Sequence, residues 1–357
     1  MLTSVGVTLM SRVETMPKAL PLLDNIETTQ NRKISQKPLI YKASDDIFIE
    51  KKYDKNNNSE TIIDITETKN LSFRLAHSLI ENNSFLLDKA EKMLSCGNYV
   101  EVAEGSVVYA NFCRLRLCPM CQRRRSLRTF SDFCKMNDYL DSAYGYKFLH
   151  LVLTVPNCSS DELGSTISKL YKSFNFFLNN SLVKNKFKGV ARCLEVSYNN
   201  RYKIDGEEGE ISGRCFHPHL HCLVAVSRSY GSGKNYIRQE LIQQLWTDAN
   251  GSSQPLQVHI ERIKEGNTSA LAEVAKYSFK PLEFSCSDAE RVRVLEALNL
   301  GLHGRRLVTF FGAFKEAKRI TKAKCDEDNF EPERVEVDEN SLRRYNYNCL
   351  SHQYEAI

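Results

Sequence analysis

Apolar positions along this chain change their period several times, and each change marks an element. Leu71, Leu75 and Leu79, then residues 85–87, Ala90 and Leu94 recur at helical spacing, which predicts two helices broken near Asn82 and Asn83. Residues 148–155 alternate instead. Leu149, Leu151, Leu153 and Val155 fall on one face and His150, Val152 and Thr154 on the other, and Pro156 and Asn157 end the run. That is a strand with one face toward a helix layer. Residues 159–182 read as mainly helical, 191–198 as a strand, 199–213 as a polar, Gly-bearing connection and 216–226 as another strand. An amphipathic helix at 236–250 carries the only tryptophan, Trp246; a short strand at 258–263 and a helix at 268–280 follow. Strands interleaved with helices, joined by connections of varied length and without a Gly-rich phosphate loop, predict an α+β fold rather than a parallel α/β one: a sheet with helices on one face.

Composition refines this picture in three places. At 51–58 the chain is Lys, Asp and Asn with a single Tyr, too little apolar surface to offset the entropy of ordering a backbone, so residues 1–70 are expected to be largely flexible. Apolar runs fall far short of the roughly 20 residues that cross a bilayer. With no secretory pattern at the amino terminus, the expected location is the cytosol, with no membrane partner. The net charge of +5, from 49 basic and 44 acidic residues, is too small to imply a nucleic-acid partner unless the charge is clustered. Twelve cysteines in a cytosolic chain of 357 residues point to thiols and metal ligation rather than disulfides.

Three groups of residues carry chemistry. In Phe216-His-Pro-His-Leu-His-Cys222, strand alternation puts His217, His219 and His221 on one face. Imidazoles about 7 Å apart along a strand can converge on one cation, and Glu195 on the preceding strand can add a carboxylate. Such a set suits Mg or Mn, which bind phosphate oxygens; the alternative is a solvated or core-satisfied strip of histidines. Next, Glu273, Tyr277 and Lys280 share one helical stripe, opposite Leu271, Val274, Ala275 and Ser278, and Pro281 stops the helix. A tyrosine hydroxyl can attack phosphorus and a carboxylate one turn away can take a proton, although Glu and Lys at this spacing also form ordinary solvated helix faces. Finally, Cys96 and the C-x4-C-x2-C run of Cys113, Cys118 and Cys121 offer four thiolates to a structural zinc. Arg114, Arg116, Arg123, Arg124, Arg125 and Arg128 surround this knuckle with no acid between Cys113 and Ser131, which fits phosphate contacts or a solvated face.

The order of these motifs, from Cys96 to Lys318, resembles the plasmid rolling-circle replication initiators of the HUH endonuclease superfamily, in its single-tyrosine branch. The resemblance implies an antiparallel central sheet behind a zinc-knuckle segment. It makes His219 and His221 the metal pair, His217 a third or supporting group, Tyr277 the nucleophile and Glu273 the terminating carboxylate, with Lys280 beside them. His150 departs from the first motif, where a Thr is expected. The implied partners are a plasmid origin, single-stranded at the nick, and host helicase and polymerase. The expected organisation is a flexible segment (1–70), a helical, Cys/Arg-rich DNA-binding knuckle (71–145), a nuclease domain (146–324) and a polar tail (325–357). A transposase or relaxase of the same superfamily and a non-catalytic zinc-knuckle DNA-binding regulator are the competing readings.

Overall fold

The computed structural model describes residues 58–103, 105–199, 201–204, 207–210, 215–231, 235–264, 268–275, 287–325 and 338–357. Five strands make the central sheet: β3 (Lys147–Thr154), β4 (Phe187–Tyr198), β7 (Phe216–Val226), β8 (Val258–Arg262) and β9 (Val308–Gly312). Their order is β8-β3-β7-β4-β9, and every neighbouring pair is antiparallel.

The alternation seen in the sequence decides what each face packs against. Leu149, Leu151 and Leu153 of β3 join Leu220, Cys222 and Val224 of β7 and Val190, Leu194 and Val196 of β4 in one cluster. Helices α4 (Leu163–Asn179) and α6 (Gln239–Asn250) close over that cluster with Ile167, Leu170, Phe174, Phe177, Ile242 and Trp246. Each large apolar side chain buried there contributes about 1.5–3 kcal/mol. Trp246 is fully buried, and its indole N–H donates to the carbonyl of Thr154 at 2.7 Å.

Helices also lie on the other face. There Phe148, Ala191, Cys193, Leu223, Ala225 and Phe310 pack against α3 (Pro119–Tyr144), α7 (Thr268–Val274) and α9 (Ala313–Thr321). This apolar patch covers only part of the face. Toward the carboxyl end of β4 and the amino end of β7, Glu195, His217 and His219 follow in the same alternation, and that half forms the site.

Four local results differ from expectation. Helix α1 (Asn58–Glu81) begins well inside the segment expected to be flexible, because Ile65, Leu75, Ala76 and Leu79 bury a stripe against α2 (Leu87–Ser95) and the rest of the core; residues 1–57 lie outside the described residues. Before the second cysteine, β1 (Tyr99–Ala103) and β2 (Ser106–Ala110) form a hairpin. The polar connection after β4 contains a short hairpin of β5 (Arg201–Ile204) and β6 (Glu207–Glu210). The polar tail ends in β10 (Arg343–Asn348) and β11 (Gln353–Ala356), which complete a four-stranded sheet, β11-β10-β1-β2. Tyr345, Tyr347 and Tyr354 bring the apolar surface that a polar composition conceals, since all three pack on the main core cluster. Two further elements, α5 (Ser181–Lys186) and α8 (Asp288–Leu302), complete the described chain.

Candidate metal centre

Register brings the carboxylate to the imidazoles. Glu195 pairs directly across from His219, and Cys193 pairs with His221, so Glu195 faces one histidine and lies diagonal to the next. Its Oε2 is 3.0 Å from His221 Nε2 and 3.5 Å from His219 Nε2. One donor atom from each residue falls within 4.8 Å of the others. Ligand bonds of roughly 2.0–2.2 Å leave adjacent donors about 3 Å apart, so the spacing suits a single ion.

Hydrogen bonding strengthens the fit. His219 Nδ1 lies 3.0 Å from the carbonyl of His217, which only accepts, so Nδ1 carries the proton and Nε2 presents a lone pair to Glu195. Acceptor then faces acceptor, a conflict that a cation between them, or protonation of Nε2, relieves. Glu195 Oε1 is buried with no hydrogen-bond partner among the described residues, as expected of a carboxylate arranged for an ion. Burial opposes ionisation of Glu195, but His219 and His221 outweigh it and hold the carboxyl well below the usual carboxylate range. The set of two imidazoles and one carboxylate can hold Mg, Mn or a similar divalent ion.

His217 stands beside this group. Its Nδ1 contacts Asn157 Oδ1 at 2.8 Å and its ring stacks on His219 at 5.1 Å. Burial, then the charge of His219, lowers its pKa to about 4, so it is a neutral imidazole at physiological pH. Helix α7 packs Leu271, Val274 and Ala275 on the sheet, leaving Glu273 partly exposed and near enough to His150 for its charge to bear on that ring. Tyr277 and Lys280 lie outside the described residues.

A second group forms where α1, the β1–β2 hairpin and α3 meet. The Sγ atoms of Cys96, Cys113, Cys118 and Cys121 all lie within 4.8 Å of one another, with Cys121 3.7 Å from Cys96 and 3.6 Å from Cys113. Tetrahedral zinc with bonds of about 2.3 Å separates its sulfurs by about 3.8 Å, whereas a disulfide needs about 2.05 Å. Backbone amides of Cys113 and Arg114 donate to Cys96 Sγ and Cys121 Sγ at 3.3 and 3.1 Å. Arg114 adopts φ 63°, a conformation unusual outside glycine, in the turn that presents this amide. Four thiolates and one divalent ion would leave a net negative charge, and a buried cation lies close by. Lys69 Nζ donates to the carbonyls of Leu94 and Cys96 at 2.7 and 2.8 Å. Burial lowers its pKa to about 8, while the neighbouring thiols pull the other way.

Comparison with known proteins completes the picture. The sequence pattern of a family described as replication protein matches residues 105–354, about two thirds of the chain. The chain belongs to the replication protein family. It is 32% identical over 262 residues to "Protein rep" of Streptococcus pneumoniae serotype 2, covering 70% of this chain and 77% of that one. "Protein rep" of Staphylococcus aureus is 32% identical over 205 residues, covering 57% and 85%. "Protein rep" of a Bacillus species is 30% identical over 254 residues, covering 64% and 79%. No solved structure matches. The family is the one suggested by the order of the sequence motifs.

In this replication protein the six arginines around the cysteines do not share one role. Arg123 is buried and pairs with Asp64 of α1 at 2.5 Å, which ties α3 to α1, and Arg128 lies 3.8 Å from Asp132, one turn along the same helix. Arg125 donates to the carbonyls of Leu115 and Arg114, and Arg116 to that of Leu302. Arg124 sits 4.7 Å over the Phe112 ring, and Arg114 is exposed. Sequence reasoning overlooked Lys69, because nothing in a helical stripe marks a buried lysine. It also overlooked Ser72, whose hydroxyl is 3.5 Å from Cys118 Sγ, and Glu261 of β8. His150 was noticed but given no role; strand alternation alone places it on the histidine face.

Proposed function

We propose that this replication protein initiates plasmid replication by nicking one DNA strand at the origin. The observation that carries the reading is the meeting of Glu195, His219 and His221 around one point, with Glu273 alongside on α7. These three residues would hold a divalent ion, which would supply polarisation of the scissile phosphate and offset charge developing on it. The Tyr277 hydroxyl attacks phosphorus. A bond forms from its Oη to phosphorus as the hydroxyl proton passes to water, the bond to the 3′ oxygen breaks, and the leaving oxygen takes up a proton from water to become a 3′ hydroxyl. That hydroxyl primes synthesis by the host helicase and polymerase while the 5′ phosphate stays on Tyr277, the step that makes replication proceed as a rolling circle. After one full circle Tyr277 is occupied. Glu273, four residues earlier in the sequence, takes a proton from the water that attacks phosphorus, so that hydrolysis can terminate the round. Lys280, seven residues after Glu273 in the sequence, is assigned to binding phosphate, and the cysteine knuckle, which would hold zinc, to DNA contacts through its exposed Arg114. The protein works in the cytoplasm.

The test uses a labelled single-stranded origin oligonucleotide with Mn2+. Tyr277→Phe should abolish the covalent protein-DNA adduct while gel-shift affinity stays near that of the original protein. An undiminished adduct would move the nucleophile elsewhere. On a circular origin plasmid with replication extract, Glu273→Gln should still nick but accumulate products longer than one circle.

A further inference from the structure

His221 has two neighbours in line behind it, His150, where the chain departs from the expected Thr, and Glu261. His150, 4% exposed in the middle of β3, places Nε2 3.0 Å from His221 Nδ1, and the two rings lie nearly parallel at 17° with centroids 5.3 Å apart. On its far side, His150 Nδ1 is 3.3 Å from Glu261 Oε1. Register creates both contacts: His150 pairs across from Glu261 on β8, while His221 pairs with Val152, one step along β3 on the same face.

The protons on these rings are not independent. His221 Nε2 faces Glu195 Oε2 at 3.0 Å, and an ion held between them would take the lone pair on Nε2, which leaves the proton on Nδ1. That proton can only be donated to a lone pair on His150 Nε2, which puts the His150 proton on Nδ1, donated in turn to the Glu261 carboxylate. We propose that Glu261 and His150 form a positioning relay that fixes the tautomer and ring orientation of His221 and raises its basicity toward the ion. The inference rests on the proposed metal site and adds two residues to it. Carboxylate behind imidazole behind metal ligand is a general arrangement, and removing such a partner weakens metal affinity by roughly 10–100-fold. Here a second imidazole is interposed because Glu261 lies at the sheet edge, where its side chain is about half exposed and cannot itself reach His221.

The contrasting role for His150 is simple packing, and three substitutions separate the two. His150→Phe keeps the ring and its volume without nitrogen. His150→Gln places an amide near the Nε2 position, and His150→Asn places one near Nδ1. Mn2+ binding to the full chain by isothermal titration should weaken about tenfold in the Phe and Asn variants and stay within about threefold in the Gln variant. In the unsubstituted chain with saturating Mg2+, nitrogen-15 correlation spectra of the histidine rings should show a slowly exchanging His221 Nδ1 proton beside a His150 ring protonated on Nδ1, and in His150→Phe a His221 Nδ1 proton that exchanges rapidly. The first of these spectra needs no variant. Unchanged affinity in His150→Phe, or a His150 ring protonated on Nε2 in the unsubstituted chain, overturns the relay. A chain that binds no Mn2+ at all defeats the metal site, whereas Mn2+ binding that His150→Phe leaves unchanged defeats the relay alone.

Discussion

Glu195→Gln should separate an ion-binding site from a structural one, because the two predict opposite signs. The carboxylate is 3% exposed, its Oε2 faces two imidazole nitrogens, and its Oε1 has no partner among the described residues. An unsatisfied buried acceptor costs about 1–3 kcal/mol. At pH 8 an ordinary imidazole is neutral; His219 keeps its proton on Nδ1, so without an ion Glu195 turns an acceptor toward the His219 lone pair, and glutamine, which can donate from its amide, removes that conflict. The metal-free variant should therefore melt at or above the temperature of the original protein. With ion at 100 times its dissociation constant, binding stabilises the original protein by about 2.7 kcal/mol. Losing the only charged ligand should weaken binding at least about 100-fold, given that losing even an outer partner can cost that much. The ion is then near its dissociation constant, and the stabilisation falls to about 0.4 kcal/mol. At about 1.3 °C per kcal/mol for a chain of this length, calorimetry with Mn2+ should show a shift of about 3.5 °C in the original protein and about 0.5 °C in the variant. A variant that keeps the full shift would place the ion elsewhere. One that melts several degrees lower without metal would make Glu195 a structural residue.

Elemental analysis of protein prepared without chelator should find about one zinc per chain, and Cys118→Ser should lose it and weaken DNA binding before isolated nicking chemistry fails. Trp246→Phe deletes the indole donor to Thr154 and part of a fully buried side chain, and should cost about 2–4 kcal/mol in urea unfolding followed by circular dichroism. A loss below about 1 kcal/mol would mean that the packing there is loose. Gly312 has φ 55° and ψ −134° at the junction of β9 and α9, and a Cβ there would lie 2.4 Å from the carbonyl oxygen of Lys188. Gly312→Ala should destabilise by at least about 3 kcal/mol, the upper end of the usual cost of a forbidden backbone conformation, and give little soluble protein.

Strand period alone was enough to place three imidazoles on one face of β7, because side chains alternate with a period of two whatever the sheet does. It likewise separated the leucines of β3 from His150. Helical spacing was enough to break α1 from α2 near Asn82 and to turn Leu271, Val274 and Ala275 inward on α7. Register is a different quantity. It depends on pairing between distant strands, and a shift of one residue between β4 and β7 would turn Glu195 into the apolar face instead of toward His219. The sequence could name Glu195 as a candidate ligand but could not show that Glu261 stands behind His150, since β8 reaches β3 only in the folded sheet. The same holds at the cysteines. Their spacing announced a metal, whereas Lys69 arrives from another helix, and the β10–β11 hairpin pairs with β1 across more than two hundred residues of chain. Among the arginines, composition shows charge but not direction. Arg123 turns inward to Asp64 and Arg114 outward, a choice made by packing of α1 against α3. Local periods are properties of a few neighbouring residues; partners, burial and protonation belong to contacts that exist only once distant segments have come together.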